Sequence, residues 1–345
     1  MGNIGQKTGG KRNDIRNKGF FYRKKRPGDI IDKNGIMDDG CYSTKRDLDY
    51  NHGDRKMSVL GEKICLFLIS TPLLKMFKKR TPTAKLVYDD DGTVRSDLNY
   101  SEELFESTKS IIVDFMRLGH PIPVEDSSIL DIGCGDGGRT AYYGMKGALS
   151  VIGIDSDLSR LKRAKLFCHK RGFGHKVFFS AASSHKLPFN ESSFDVIVMT
   201  DVMEHVSEPL ETLLEAKRVL RPGGKLFISF GCYYTPLGSH LIDWIPLPWQ
   251  QVMFSERTLI RILKRLSDGE PYILFQFPGL KKVPLPVRID DLESGGQNRI
   301  TLRTFRDYIN LSDFEIELFW TPVPAKIPMI GELFAIVRCV LKKLG

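Results

Sequence analysis

The chain has 345 residues, 41% of them hydrophobic and 27% charged, a composition typical of a globular protein with enough apolar material for a core. Its formal net charge of +9 leaves nucleic acid or an anionic membrane open as partners, although net charge describes the whole chain and not a site. Six scattered cysteines argue against a disulfide framework or a zinc site and favour a reducing compartment. No secretory signal is expected, because the N-terminus lacks an apolar core. No membrane span is expected either, because a spanning helix needs roughly 20 mostly apolar residues.

The first part of the chain is basic and poor in large apolar residues. Residues 1–56 are rich in Gly, Asn, Asp, Lys and Arg, and we expect them to form a disordered extension. Residues 57–98 are predicted to be an amphipathic and linker segment, with helical apolar content over 59–77 followed by three basic residues at 78–80. This helix either packs on the main domain or lies on a membrane surface.

Residues 99–345 are predicted to form the main domain. Ser101 is the predicted N-cap of its first helix, which ends at Gly119,. Five apolar strands then alternate with helices. The predicted strands are 128–132, 149–154, 177–180, 194–199 and 225–230, and the predicted helices are 138–145, 157–171 and 210–220. Such alternation predicts a Rossmann-like, doubly wound α/β fold, with a mostly parallel sheet covered by helices on both faces.

The regular alternation ends after residue 230. Two segments are predicted insertions. Residues 231–255 are rich in Tyr, Trp and Pro, and residues 277–298 are rich in Pro, Gly and charged residues. The predicted elements of this part are a helix over 256–266, a helix over 301–310, a strand over 314–320 and a strand over 334–341. For the last one, a helix over 328–344 is the alternative.

A glycine-rich turn after the first strand carries the strongest functional signal. Glycines at 133, 135 and 138 let a ligand approach bare backbone and also satisfy the dinucleotide fingerprint, which is weak by itself. Asp131 precedes the first glycine by two residues, where a carboxylate can face a cationic amino group. Asp155 ends the next strand, a position from which a carboxylate accepts hydrogen bonds from ribose hydroxyls.

Four stretches of this sequence resemble one family in order and spacing. They are Asp131-Ile-Gly-Cys-Gly-Asp-Gly137, Leu187-Pro-Phe-Asn-Glu-Ser-Ser-Phe-Asp195, Asp201-Val-Met-Glu-His-Val206 and Leu220-Arg-Pro-Gly-Gly-Lys-Leu226. The family is the class I S-adenosylmethionine-dependent methyltransferases, in particular the ubiquinone/menaquinone-biosynthesis-like (Methyltransf_11-type) group. A nicotinamide dehydrogenase would not be expected to share the last three of these four stretches.

The resemblance implies a seven-stranded sheet with S-adenosylmethionine across the carboxyl ends of strands one, two and four. It implies cofactor binding by Asp131, Gly133, Cys134, Gly135, Asp155, Ser156, Ser183, Ser184 and Thr200. Ser183 departs from the family pattern, which often has an acidic residue there to meet the adenine amino group. A hydroxyl accepts that hydrogen bond more weakly than a carboxylate.

The predicted catalytic residues follow the fourth strand. His205 is the candidate general base if the acceptor is a hydroxyl, although it could equally fix the local loop. Asp201, Glu204 and His205 would share one face of a helical turn. The alternative that these three hold a divalent metal, as in some quinone O-methyltransferases, is left open, and the prediction is that no metal is bound.

The acceptor is predicted to bind at the first insertion. Candidate substrate-binding residues are Tyr233, Tyr234, His240, Asp243 and Trp244, which suit an apolar pocket with a few polar groups. The predicted reaction is in-line transfer to oxygen, carbon or nitrogen of a small-molecule or lipid-like acceptor, by a cytoplasmic protein with peripheral membrane contact through its basic N-terminal segment. A nucleic-acid or protein methyltransferase, or a non-catalytic S-adenosylmethionine-binding protein, are the alternatives.

Overall fold

The structure is a computed structural model that describes residues 52–70, 87–88, 94–95, 98–236, 238–239, 241, 245, 247–268, 297–322 and 330–345. Residues 1–51 of the extension predicted over 1–56, and nearly all of the predicted insertion 277–298, lie outside the described residues. The candidate acceptor residues His240, Asp243 and Trp244 also lie outside them.

Seven strands form the central sheet, as predicted. They are β1 (Ser128–Ile132), β2 (Ser150–Asp155), β3 (Val177–Ala181), β4 (Phe194–Thr200), β5 (Leu220–Gly231), β6 (Glu315–Trp320) and β7 (Ile336–Lys342). The spatial order is β3-β2-β1-β4-β5-β7-β6, with β7 antiparallel to both of its neighbours and the other pairs parallel. The order reverses between β1 and β4, so the carboxyl ends of these strands flank a crevice where ligands bind in such folds. The predicted strand over 334–341 is confirmed as β7, in place of the helical alternative.

Helices cover both faces of the sheet. The described helices are α1 (His52–Ser70), α2 (Leu98–Arg117), α3 (Gly138–Met145), α4 (Leu158–Lys170), α5 (Pro209–Val219), α6 (Gln250–Met253), α7 (Glu256–Asp268), α8 (Leu302–Ser312) and α9 (Ile330–Leu333). A two-residue antiparallel pair, Val87–Tyr88 with Val94–Arg95, lies outside the main sheet.

The predicted start of α2 at Ser101 is wrong, because the helix begins at Leu98. Ser101 lies inside the helix, fully buried, and its hydroxyl donates a hydrogen bond to the Asp136 carbonyl at 2.9 Å. A Cβ added to Gly138 would lie 2.1 Å from the Ser101 carbonyl oxygen. The serine therefore docks α2 onto the glycine-rich turn, and its burial explains why local capping preference does not set the helix start.

Apolar side chains fill both sides of the sheet. Leu130 and Ile132 of β1 point into one cluster, and Ile129 points into the other, as the alternation along a strand requires,. Phe115 and Phe227 meet edge to face at 5.3 Å in the second cluster. The first cluster holds the side chains that follow β4, so the loop carrying the candidate catalytic residues has a rigid support.

A third apolar cluster joins α1 to α7 and to the segment after β5. Cys65, Leu66 and Ile69 of α1 are buried against Leu259 and Leu263 of α7. At their side Glu62 is buried and ion-paired with Arg265, and Arg261 lies 3.8 Å away. We call α1 and α7 together the helical cap. The helix α1 begins at His52, inside the segment predicted to be an extension, and it packs on another helix through one face. None of the helices in the described ranges has the length and apolar character needed to span a membrane.

Candidate active site

A cavity of about 410 Å³ opens at the carboxyl ends of β1 to β4, within the roughly 300–1,000 Å³ of small-molecule sites. It brings together residues from four separate parts of the sequence, because the parallel strands end at the same edge. Seven of the predicted site residues line it: Gly133, Asp155, Ser156, Ser183, Ser184, Asp201 and His205.

The floor of the cavity is the glycine-rich turn between β1 and α3. Gly133 has φ +70°, and a Cβ there would lie 2.4 Å from a methyl group of Val202. A side chain at this position would both strain the backbone and displace the loop after β4. Only glycine leaves this stretch of backbone bare toward the cavity.

Asp155 is fixed at the end of β2 by backbone hydrogen bonds. Its two carboxylate oxygens accept from the N–H groups of Gly135 and Asp157, each at 2.9 Å. A carboxylate oxygen has a second lone pair, so both oxygens can still accept from ligand hydroxyls. Asp155 thus ties the glycine-rich turn to β2 and presents a bidentate acceptor at the cavity wall.

Asp131 and Cys134 lie beneath the turn and do not line the cavity. The Asp131 carboxyl is buried and accepts a hydrogen bond from the Thr140 hydroxyl at 2.7 Å. Burial raises the pKa of Asp131 to about 6, against the lowering effect of Thr140 and Arg139. Cys134 is buried too, and a Cβ added to Gly153 would lie 2.9 Å from its Sγ, so its side chain packs against β2.

Arg139 anchors the end of β4 to α3. Its guanidinium donates to the Asp201 carboxylate at 2.7 Å and to the Thr200 carbonyl at 3.4 Å. Asp201 has φ +55°, a left-handed conformation that is uncommon for a residue with a side chain,. The ion pair holds Asp201 in this position at the cavity rim, while Thr200 is buried and contributes its carbonyl to that anchor.

The structure separates Glu204 from Asp201 and His205. Residues 201–206 form a turn and not the helical face predicted from their spacing, with the His205 N–H donating to the Val202 carbonyl at 2.8 Å. His205 is exposed at the cavity, whereas Glu204 is buried outside its lining. Burial, with a contribution from Asp201, raises the pKa of Glu204 to about 8, so it is largely protonated at neutral pH. Within the part of the chain that the structure describes, no three His, Cys, Asp or Glu side chains are placed to hold a metal.

Asn298 holds this turn in place, a role that no sequence motif predicted. Its side-chain amide donates to the carbonyls of Met203 at 2.8 Å and Val206 at 2.7 Å. Its backbone N–H donates to the Glu204 carbonyl at 2.8 Å. Three hydrogen bonds from a residue about 95 positions away therefore set the orientation of the segment that carries His205.

Ser183 and Ser184 form the edge of the cavity beyond β3. The Ser183 hydroxyl lies 2.9 Å from His185 Nδ1, and the Ser184 hydroxyl lies 3.0 Å from that of Thr212. Both serines line the cavity, and Ser183 occupies the position where the family pattern often has an acidic residue. The edge is therefore built from neutral hydroxyl groups.

Tyr233 and Tyr234 follow β5 and meet edge to face at 5.2 Å. Tyr233 is buried and Tyr234 partly exposed, and neither lines the cavity. Gln251 of α6 donates to the Tyr233 carbonyl at 2.7 Å, which secures this aromatic pair to the segment that leads into the cap.

The charges of the cavity wall favour a cation. Its ionisable lining comprises the carboxylates Asp155, Asp157 and Asp201, the guanidinium of Arg160, and His205. Asp201 is paired with Arg139 and Asp155 lies near Arg160, yet the charge of the described lining stays net negative. A net negative lining disfavours the pyrophosphate that the dinucleotide interpretation requires and favours a sulfonium nucleoside.

The seven-stranded sheet, the glycine-floored cavity at the carboxyl ends of β1, β2 and β4, and the carboxylate at the end of β2 agree with the arrangement that the sequence resemblance implies. Residues 130–228 match the family model of a methyltransferase domain. The match covers all four motifs from which the sequence predicts an S-adenosylmethionine-dependent methyltransferase.

Relatives of this domain are known from several organisms. The tocopherol O-methyltransferase of Arabidopsis thaliana is 27% identical over 170 residues, 48% of this chain and 47% of that protein. A ubiquinone biosynthesis O-methyltransferase of Cereibacter sphaeroides is 34% identical over 123 residues, 35% of this chain and 49% of that protein. The chain thus spans about half the length of these curated relatives. Among solved structures, an S-adenosylmethionine-dependent methyltransferase of Mesorhizobium loti matches 66% of this chain and 96% of its own at 20% identity, with a TM-score of 0.43.

Proposed function

We propose that this protein transfers the methyl group of S-adenosylmethionine to a small-molecule or lipid-like acceptor. The observation that carries the proposal is the acidic, glycine-floored cavity at the ends of β1, β2 and β4, with Asp155 at its wall. When bound, the cofactor supplies a methyl group on a positively charged sulfur, which an acceptor oxygen, carbon or nitrogen takes by in-line displacement, leaving the neutral thioether.

The residues of this chain bind and orient the two reactants. Asp155 accepts hydrogen bonds from the ribose hydroxyls, the backbone at Gly133 faces the methionine part, and buried Asp131 supplies negative charge for the cofactor's ammonium group. Because the methyl group is already activated, alignment supplies much of the acceleration, up to about 7–11 kcal/mol in well-oriented reactions. His205, exposed at the cavity, takes the proton if the acceptor is a hydroxyl.

The proposed acceptor class rests on the relatives and on the segment after β5. Relatives are named for tocopherol, a sterol and ubiquinone biosynthesis, and all three are apolar. Tyr234, packed edge to face on the buried Tyr233, provides exposed aromatic surface after β5. Both support an apolar acceptor approaching from this side.

The reaction is tested with the purified protein, cell extract and S-adenosylmethionine carrying a deuterated methyl group. Mass spectrometry of the extract is expected to find an apolar metabolite that gains the label, and no label is expected with an Asp155→Ala variant. Label in RNA, DNA or protein alone would contradict the acceptor class. Cofactor binding without label in any fraction would indicate a non-catalytic binding protein.

We further propose a cytoplasmic protein that touches a membrane surface through α1. The five cysteines among the described residues are free and buried, as in proteins of reducing compartments. The face of α1 that points away from α7 exposes Leu60 (54%) and Ile64 (46%), with exposed Lys63 between them. A helix with apolar and basic groups on its outer face suits an anionic interface, and basic residues follow it at 78–80.

Vesicle sedimentation tests this contact. The protein is expected to sediment with phosphatidylserine-containing vesicles and less with pure phosphatidylcholine, and a Leu60→Ser/Ile64→Ser variant is expected to lose the difference. Leu311→Ser, which removes an equally exposed leucine on α8 (66%), is the matched control. Equal sedimentation of wild type and the α1 variant would contradict the proposal.

A further inference from the structure

Arg160, in the first turn of α4, contributes the one guanidinium among the described residues that line the cavity. Its side chain is partly exposed there, and two carboxylates hold it. Nη1 lies 4.0 Å from Asp155 Oδ2, and Nε lies 3.7 Å from Asp136 Oδ2. Burial would lower the pKa of Arg160, but Asp155 and Asp136 outweigh it and raise that pKa. The cavity therefore contains a fixed, permanently charged planar group.

The guanidinium lies over the bare backbone of Gly135. A Cβ added at this glycine would be 2.4 Å from Nη2 and 2.9 Å from Cζ. Gly135 also has φ +53°, so a side chain there is excluded by both conformation and space. The glycine thus leaves room for the Arg160 plane beside Asp155.

The ion pair with Asp136 does not by itself account for Arg160. Arg163, one turn further along α4, already donates to Asp136 Oδ1 at 2.7 Å, and it does not line the cavity. Asp136 thus has a shorter and better aligned partner. What distinguishes Arg160 is its place in the cavity wall, next to the proposed ribose carboxylate.

We propose that Arg160 is a nucleoside-binding residue, which stacks its guanidinium plane against the purine of the bound cofactor. The proposal rests on the proposed function and names a residue that the methyltransferase motifs do not. A ligand whose ribose is held by Asp155 lies within reach of Arg160, because the Arg160 guanidinium is 4.0 Å from the Asp155 carboxylate and lines the same cavity as Ser183 and Ser184. Guanidinium groups are planar, weakly hydrated and stack on aromatic rings. Ser183 and Ser184 then meet the edge of the base with neutral hydroxyls, and Arg160 compensates for the weak contact at Ser183.

Calorimetric titration with three nucleosides tests this role. S-adenosylmethionine, S-adenosylhomocysteine and 5′-methylthioadenosine share the adenosine part and differ in charge and in the amino-acid part. Arg160→Ala is expected to weaken all three by the same factor, about tenfold, which is about 1.4 kcal/mol and lies between an exposed and a desolvated cation–π contact. Arg160→Lys is expected to show most of the same loss of affinity, because an ammonium group keeps the positive charge but lacks the planar guanidinium that stacks on the purine.

Arg163→Ala is the matched control, since it removes a guanidinium from the same helix and from Asp136, and its affinities are expected to equal those of the wild type. Thermal melting of each variant checks that the domain stays folded. Unchanged or tighter binding by Arg160→Ala, full affinity in Arg160→Lys, or a loss confined to ligands with the amino-acid part would each overturn the proposal. A wild-type protein that binds none of the three would instead overturn the proposed function, and this role with it.

Discussion

The cofactor cavity and the helical cap are held together in different ways. The cavity is built from residues that directly follow β1 to β4, and many of its hydrogen bonds join backbone to backbone or backbone to a carboxylate, as at Gly135 and Asp155. The cap depends on side chains from distant parts of the sequence: Glu62 and Arg265 are 203 positions apart. The glycine-rich turn and Asp155 are thus joined by residues only 20 positions apart, whereas the packing of the cap depends on residues far apart in the chain.

The largest expected effect is a loss of cofactor affinity at the cavity in a variant that still folds. Asp155→Ala removes two charge-assisted hydrogen bonds to the ribose, each worth about 1.5–3 kcal/mol, so S-adenosylmethionine affinity should fall about 100-fold or more. Calorimetry measures the affinity, and circular dichroism checks the fold. Unchanged affinity in a folded variant would remove the ribose assignment.

At the cap, a substitution is expected to loosen the packing of α1 and to leave cofactor affinity unchanged. Glu62→Ala leaves Arg265 without its buried partner and should destabilise the packing of α1 by about 2 kcal/mol, less than a fully buried pair because Arg265 reaches water. Amide hydrogen exchange in α1 should accelerate while cofactor affinity stays at the wild-type value. Glu103→Ala, at an exposed position of α2, is the control. A large loss of cofactor affinity in Glu62→Ala would show that the two regions are coupled.

A smaller effect concerns the pH dependence of cofactor binding. The pKa of Asp131 is about 6 in the free protein, so its carboxyl becomes protonated as the pH falls through 6 and loses its attraction for the ammonium group. S-adenosylmethionine affinity should therefore decrease between pH 7 and 5, and Asp131→Asn should bind more weakly at pH 7 with a flatter profile. A parallel decrease in the variant would assign the pH dependence to another group.

The smallest effect is one of stability. The folded-state pKa of Glu204, about 8, lies above its usual value of 4.5, so the folded state holds the proton more tightly. The stability that this proton contributes is fully present below about pH 4.5 and is lost as the pH rises through 8. Glu204→Gln should match the wild type at pH 5 and melt at a higher temperature than it at pH 9. Equal melting temperatures at pH 9 would contradict the raised pKa.

The sequence predicted the sheet and the cavity floor closely, because periodicity and glycine-rich turns are local signals. The strand ranges and the positions of Gly133 and Asp155 followed from them, whereas the spatial order of the strands was not predicted. The misses have tertiary causes. Ser101 resembles an N-cap but is used to dock α2, and Glu204 is turned away from His205 by hydrogen bonds from Asn298. Arg160 follows Asp155 by five positions in a polar helix face, where nothing in its neighbours distinguishes it from a solvated arginine.

One titration addresses the central claim, that the glycine-floored cavity binds a sulfonium nucleoside held by the carboxylate of Asp155. Purified wild-type protein is titrated in a calorimeter with S-adenosylmethionine and, in parallel, with a nicotinamide dinucleotide. Saturable one-to-one binding of S-adenosylmethionine, with no heat from the dinucleotide, is the predicted result. Binding of the dinucleotide and none of S-adenosylmethionine would contradict the account.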